Sequence, residues 1–151
     1  MRKPLSLRER AIALLARREH SRAELARKLS AHTGEDGAEI ETLLNDLERR
    51  KLLSDQRYAE ARTHTLARKY GTARIAHELR LQGVAESTIE QLKDNLKDSE
   101  FQRAYAAWQK RFGAPPADPL EKAKQLRFLQ GRGFSQELIW RVLREANSPE
   151  D

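Results

Sequence analysis

The sequence contains no cysteine, which excludes a disulfide framework, a thiolate metal site and a cysteine nucleophile. Long apolar runs are also missing. The longest, Ala11–Ala16, falls far short of the roughly 20 residues that a membrane-spanning helix needs. The chain begins with a basic stretch, but charged residues interrupt everything after it, unlike a signal peptide. We therefore expect a cytoplasmic protein with no membrane partner.

Motifs for catalysis and for cofactor binding are equally scarce. Neither of the glycine patterns that cradle phosphates in nucleotide-binding loops occurs. The four histidines lack metal-ligand spacing, and no serine lies between the glycines of a nucleophile turn. The acidic residues fall in helix-pairing or capping patterns. We predict a protein that is not an enzyme and that holds neither a metal nor a cofactor.

Helix signals dominate what is present. Valine occurs only twice, and no stretch alternates apolar and polar residues as a strand would. Capping boxes are predicted at three places, Ser6–Glu9, Ser21–Glu24 and Ser87–Glu90. Further N-caps are predicted at Asp55, Thr72, Asp118 and Ser135. The apolar spacing predicts nine short helices, with breaks near 19–20, 33–37, 53–54, 70–71, 83, 98, 113–119 and 131–134.

Nine helices fall into three groups of three, and the sequence supports a threefold repeat. A shift of about fifty residues lays Leu79, Gly83 and Val84 on Leu129, Gly133 and Phe134, although Ile75 then meets Gln125. The first group carries an insertion-like loop at 31–38. We predict an all-α fold of three tandem three-helix bundles, helix-turn-helix-like and without a wing, in an elongated curved body. The predicted repeats are 1–53, 54–97 and 98–151.

Charge provides the main indication of function. The chain has 29 Lys and Arg residues against 23 Asp and Glu residues, a net charge of +6. The basic residues cluster at 17–18, 27–28, 49–51, 68–69 with Arg74, and 110–111. Such clusters are compatible with solvated helix faces, whose C-terminal cations favour the helix dipole. They are also compatible with contact to phosphates or to an acidic protein surface.

Aromatic residues favour packing over base stacking. Phe101, Tyr105, Trp108 and Phe112 recur at helical spacing, which is typical of a buried helix face. Trp140 lies off the apolar line of the last helix, where it would cover the edge of a bundle.

Two segments resemble a known family. The first is Leu53–Ala59 followed by Gly71–Val84, and the second is Arg18–Leu25 with Lys28 and Leu29. Both are similar to signature segments of the RecX family, and Arg132–Ser135 fits the family's third repeat. The resemblance spans roughly residues 6–146. It implies tandem three-helix repeats and a bacterial cytoplasmic regulator of the RecA recombinase.

The resemblance also implies the partners and the mode of action. Family members bind the filament of RecA on single-stranded DNA and modulate, usually downward, its ATPase, strand-exchange and co-protease activities. This protein would then affect DNA repair, homologous recombination and the SOS response. We expect a monomer that also binds double-stranded DNA weakly. The predicted filament-contacting residues are Arg68, Lys69, Arg74, Arg80, Arg27 and Lys28. The alternative is a stand-alone DNA-binding protein without sequence specificity.

Overall fold

The computed structural model describes residues 3–33 and 37–148, which form α-helices and no strand. The eight helices are α1 (Leu7–Arg17), α2 (Arg22–Thr33), α3 (Gly37–Arg49), α4 (Asp55–Ala67), α5 (Thr72–Leu81), α6 (Glu86–Arg111), α7 (Pro119–Gly131) and α8 (Gln136–Ala146). The predicted all-α class is confirmed, whereas the predicted number of nine helices is wrong for these residues.

Several helix starts follow the predicted capping chemistry. Ser6 and Glu9 form a complete capping box, in which each side chain accepts the other residue's backbone N–H. The Asp118 carboxylate accepts the N–H of Glu121, and Ser135 caps α8. At the start of α2, Ser21 Oγ accepts the N–H of Glu24 at 3.0 Å. These polar side chains fix where the helices begin because they satisfy N–H groups that have no partner inside the helix.

Other predicted caps are wrong. Ser87 lies inside α6, which begins one residue earlier. Thr72 is the first residue of α5. At α4 the cap is Ser54, whose Oγ accepts the N–H of Arg57. Asp55 caps a different helix, because its carboxylate accepts the backbone N–H of Arg22 at 2.7 Å. A side chain from α4 thus fixes the start of α2.

The predicted break at Asp98 is absent. Helix α6 runs for 26 residues without interruption. It contains neither glycine nor proline, so nothing in its backbone forces a break. The two apolar groups that suggested two helices are the two ends of one helix. Ile89 and Leu92 are buried near its start, and Ala104 and Trp108 are buried near its end.

The predicted loop at 31–38 is largely helical. Residues 31–33 belong to α2, and residues 37 and 38 belong to α3. The rest of this stretch lies outside the described residues.

The chain divides into two compact units by packing. The first unit comprises Met1–Arg62 and Leu79–Thr88. Its core joins the apolar faces of α1, α2 and α3 with Leu53, which lies two residues before α4. The fully or nearly fully buried members are Ala11, Leu25, Leu29, Ile40, Leu43, Leu44, Leu47 and Leu53. These are the apolar stripes that the sequence spacing predicts.

The second unit comprises Thr63–Glu78 and Ile89–Asp151. Its core contains Ala104, Trp108, Leu129, Phe134, Ile139, Val142 and Leu143. The predicted aromatic stripe belongs to this core. Trp108 is one of its buried members, and three partly buried aromatic residues pack against the core: Phe101, Tyr105 and Phe112. Trp140 stays partly exposed, with the Lys122 ammonium 4.6 Å from its ring centroid.

Gln125, the residue that broke the sequence repeat, is a satisfied polar core residue. It is 1% exposed, accepts the indole N–H of Trp108 at 2.8 Å and donates to the Ala114 carbonyl at 3.1 Å. Both ends of the side-chain amide are therefore paired, which removes most of the penalty of burying it. The repeat tolerates glutamine here because a tryptophan lies opposite.

The repeat is visible in two matching turns. Gly83 and Gly133 both adopt positive φ, at 77° and 92°. The residue after each glycine donates its N–H to the leucine carbonyl four residues before that glycine, at 3.1 Å for Val84 and 3.2 Å for Phe134. Each turn therefore ends its helix in the same way, as the fifty-residue shift predicts. The boundaries at 53/54 and 97/98 and the elongated curved shape stay predictions.

Candidate functional site

Arg27 and Lys28, on α2, both have partners within the first unit. The Arg27 guanidinium donates to the Gln82 side chain. The Lys28 ammonium lies 2.9 Å from His20 Nε2 and 3.7 Å from the Glu24 carboxylate. In this structure, these two predicted site residues therefore connect α2 to neighbouring residues of the first unit.

Arg74 and Arg80 are also engaged. Arg74 donates to the Gly131 carbonyl at 3.0 Å, and its guanidinium carbon lies 4.2 Å from the ring centroid of Tyr70. Arg80 forms an ion pair with Glu86. Both side chains are also exposed, so their predicted contact with the filament stays a prediction. Their side chains tie neighbouring segments together.

Arg68 and Lys69 differ, because they line a pocket in the second unit. They lie in the turn that follows α4 and are exposed. The pocket has a volume of about 250 Å³. Its lining combines five basic side chains with two apolar ones and no acidic one: Arg68, Lys69, Lys110, Arg111, Arg132, Ala107 and Phe128. We refer to these seven residues as the basic pocket.

Close backbone contact brings the separate segments of the basic pocket together. The Gly71 N–H donates to the Arg132 carbonyl at 2.7 Å. A Cβ at position 71 would lie 2.5 Å from the carbonyl carbon and oxygen of Gly133 and 2.7 Å from the nitrogen of Phe134. Gly71 does not have a positive φ, so the site requires glycine here for the close approach and not for a left-handed backbone.

Arg103, on α6, fixes the same turn from another side. Its guanidinium donates to the carbonyls of Tyr70 at 2.8 Å and Ala67 at 3.4 Å, at the C-terminal end of α4. Burial lowers the pKa of Arg103 from its ordinary value, although an arginine remains protonated at neutral pH. The charge at this end of α4 therefore helps to hold the segment that carries Arg68 and Lys69.

Two aromatic rings and three arginine side chains lie close together in this region. Tyr70 lies near both Arg74 and Arg132, whose guanidinium carbons are 4.2 and 5.5 Å from its ring centroid. Phe128 lies near Arg132 and Arg111, at 5.0 and 5.9 Å. Cation–π contacts of this kind orient a guanidinium plane while leaving it charged. We refer to these five residues as the arginine–aromatic stack.

The structure therefore joins charge clusters that are far apart in sequence. Residues 68–69 and 110–111 form separate clusters in the sequence, and only the first was predicted to contact the partner. Arg132 stood out only as part of a glycine turn. The fifty-residue repeat aligns Arg132 with Gln82. This alignment does not indicate that the turn containing Arg132 lies beside Tyr70.

Two arginines of the cluster at 49–51 form ion pairs within the first unit. Asp46 accepts hydrogen bonds from Arg8 at 2.6 Å, from Arg49 at 2.6 Å and from Arg50 at 3.0 Å. Hydrogen bonds to Arg49, Arg8 and Arg50, in that order of size, hold the pKa of Asp46 well below its ordinary range. The carboxylate thereby ties α1 to the end of α3.

His20 is a buried neutral group. It is 1% exposed, and its Nδ1 lies 3.1 Å from the Arg18 carbonyl. Burial lowers the pKa of His20 from its ordinary value. Because the Lys28 ammonium can only donate, Nε2 accepts from it and Nδ1 carries the proton that is donated to Arg18.

Two further observations concern the described ranges, residues 3–33 and 37–148. They contain no group of three or more His, Cys, Asp or Glu side chains arranged to hold a metal ion. None of their helices has both the length and the apolar character that a membrane span requires.

Comparisons with known proteins identify the family. Residues 54–92 match the family model described as the second three-helix domain of RecX, and residues 98–143 match the third. The regulatory protein RecX of Ralstonia nicotianae is 47% identical over 147 residues, 97% of this chain and 92% of the relative. That of Leptothrix cholodnii is 48% identical over 150 residues, 99% of this chain and 95% of the relative.

A solved structure supports the fold. The crystal structure of RecX from Lactobacillus salivarius superposes with a TM-score of 0.78 and covers 93% of this chain and 94% of that one, at 20% identity. The two family models, the identity to relatives over almost their full length and the shared helical fold agree with the resemblance seen in the sequence. This chain belongs to the RecX family of regulatory proteins.

Proposed function

We propose that this protein binds the filament that the RecA recombinase forms on single-stranded DNA and lowers the activity of that filament. Membership of a family whose relatives are named regulatory proteins carries the proposal. The basic pocket adds a surface on which a polyanionic assembly can bind. The protein would act in the cytoplasm as a monomer, without a cofactor and without a reaction of its own.

The proposed mechanism is steric and electrostatic. Three similar repeats can each contact one subunit of a repetitive filament, and linked weak contacts bind more tightly than any one of them alone. A protein bound in this way would resist the movements that the filament makes during ATP hydrolysis and strand exchange. It would also compete with other molecules for the DNA-containing surface of the filament.

The decisive experiment is a titration of the single-stranded-DNA-dependent ATPase of a matched RecA with this protein. We expect the ATPase rate to fall. A fall at ratios far below one protein per RecA subunit indicates end-capping or cooperative disassembly, and a fall only near full coverage indicates binding along the filament. An unchanged rate at saturating protein, with folding checked by circular dichroism, would refute the proposal.

The second candidate is a stand-alone DNA-binding protein, which the basic pocket also favours. Affinity separates the two. A filament regulator should bind RecA-coated single-stranded DNA more tightly than bare single-stranded DNA at the same salt concentration. Equal affinity for both would favour the stand-alone function.

A further inference from the structure

The basic pocket carries charge that the described protein does not neutralise. None of its five basic side chains forms an ion pair or a side-chain hydrogen bond with another residue in the described ranges. Elsewhere the same chain pairs its arginines readily, with three of them on Asp46 alone. Five like charges in one concavity repel one another, and a bound anion of high charge density would relieve that repulsion.

The arginine–aromatic stack favours phosphate as that anion. Arg111 and Arg132 are held near Phe128, at 5.9 and 5.0 Å from its ring centroid. A guanidinium presents its N–H groups in a planar fork that matches two oxygens of one phosphate. Because the rings already hold these arginines, less conformational entropy is lost when they bind a ligand. Lys69 and Lys110, which are both exposed, add two further positive charges.

The size and the lining of the pocket favour a chain over a free nucleotide. Its volume, about 250 Å³, lies below the range of roughly 300–1,000 Å³ that is usual for small-molecule sites. Phe128 already has two guanidinium groups near its ring and the ring of Phe112 at 5.4 Å, edge-on, so it is not a vacant platform for a base. A flexible single strand can turn its phosphates into a concavity while its bases remain outside.

We propose that the basic pocket binds the sugar–phosphate backbone of single-stranded nucleic acid, with Lys110, Arg111 and Arg132 as contacts beside Arg68 and Lys69. The inference rests on the proposed function and specifies it: of the two components of the filament, this pocket contacts the nucleic acid. Binding through phosphates alone is independent of base sequence and weakens as salt rises.

Fluorescence anisotropy of a labelled oligothymidylate with the full chain, over a series of salt concentrations, tests the proposal. The pocket variant is K110Q/R111Q/R132Q. The matched control is R17Q/K97Q/K124Q, which removes an equal number of positive charges from exposed positions outside the pocket. We expect the pocket variant to bind at least about tenfold more weakly. Its slope of log K against log salt should be smaller by about 0.7 for each phosphate that the variant no longer neutralises. The control should stay within about twofold of the wild type.

Equal reductions of affinity in the two variants would overturn the proposal, because binding would then follow net charge and not the pocket. R111K/R132K provides a second test, since lysine keeps the charge without the planar fork. We expect this variant to retain most of the salt slope and to bind several-fold more weakly. Wild-type affinity in R111K/R132K would refute the role of the arginine–aromatic stack.

A competition experiment tests the class of ligand. Poly-glutamate at the same concentration of charges should displace the oligothymidylate much less effectively than unlabelled oligothymidylate does. Equal displacement would show that the pocket accepts acidic polypeptide as readily as a phosphate backbone, and the proposal would fail. All these measurements omit RecA, so their failure is distinguishable from an absent effect on the RecA ATPase.

Discussion

Replacing Gly71 by alanine should unfold the second unit more easily and disturb the basic pocket. The added methyl group would lie 2.5 Å from two backbone atoms of Gly133 and 2.7 Å from the nitrogen of Phe134. Carbon atoms in contact normally lie about 3.5–4.0 Å apart. The segments must therefore separate by roughly 1 Å, and no flexible side chain can absorb that displacement, because all three contacted atoms belong to the backbone.

The cost has two parts. Inserting a methyl group into a closely packed site costs about 1–3 kcal/mol. The hydrogen bond from the Gly71 N–H to the Arg132 carbonyl, 2.7 Å long, would be stretched or broken, which costs about 1 kcal/mol more. The sum is about 2–4 kcal/mol. At the roughly 2–4 °C per kcal/mol expected for a chain of this size, Tm should fall by about 4–16 °C.

Thermal and urea denaturation followed by circular dichroism would measure this effect. The matched control is G131A, because a Cβ at that position meets nothing within 4 Å and its φ is not positive. Alanine there should leave stability unchanged or raise it by up to about 1 kcal/mol, since glycine disfavours helix. A G71A protein as stable as the wild type would refute the close-approach argument. So would an equal drop in stability in G131A.

Three further perturbations test other parts of the structure. For D46N, we expect lower stability at pH 7, because three arginines lose a carboxylate acceptor. Since the folded protein lowers the pKa of Asp46, that contribution exists above about pH 4 and disappears as the pH falls further. Urea denaturation of D46N and the wild type should therefore converge in acid, and a constant difference would contradict this interpretation. For His20, burial lowers the pKa from 6.5, so the unfolded chain takes up the proton first as pH falls. The free energy of unfolding should then decrease below about pH 6.5, and H20Q should lack this component of the pH dependence between about pH 7.5 and 5.5. An unchanged pH dependence of stability in H20Q would exclude this contribution of His20. For Q125L, we expect the free energy of unfolding in urea to fall by about 1–3 kcal/mol, because the Trp108 indole N–H and the Ala114 carbonyl lose their partners; equal stability would show that these bonds contribute nothing net.

The helices were largely predictable because their signals are local. Ser6, Asp118 and Ser135 cap the helices that follow them, since a capping side chain reaches only two or three residues along the chain. The apolar stripes of α1 to α3 likewise appear in the core of the first unit. The errors have the same origin. The break at Asp98 was inferred from a gap between apolar groups, but a gap in the apolar pattern does not interrupt backbone hydrogen bonds when glycine and proline are absent.

The candidate site was predictable only in part. Charge clusters are visible in the sequence, yet the sequence does not show which cations an acidic residue or a carbonyl will occupy. Arg80 is occupied by Glu86, six residues further on, and Arg74 by the carbonyl of Gly131, 57 residues away. A contact between residues 57 positions apart leaves no local signal in the sequence. The sequence therefore does not indicate that Arg74 has this partner.

The sequence by itself determined the helical class, four of the eight helix starts, the two matching glycine turns and the family. Each of these depends on contacts within a few residues or on similarity along the whole chain. Only the tertiary structure decided which cations of the basic pocket remain unpaired and where they meet. The decisive contact is the close approach of Gly71 to Gly133, which places Tyr70 beside Arg132 and unites three distant segments around the basic pocket. A backbone approach between residues so far apart in sequence depends on how the helices pack, and packing is a property of the whole core.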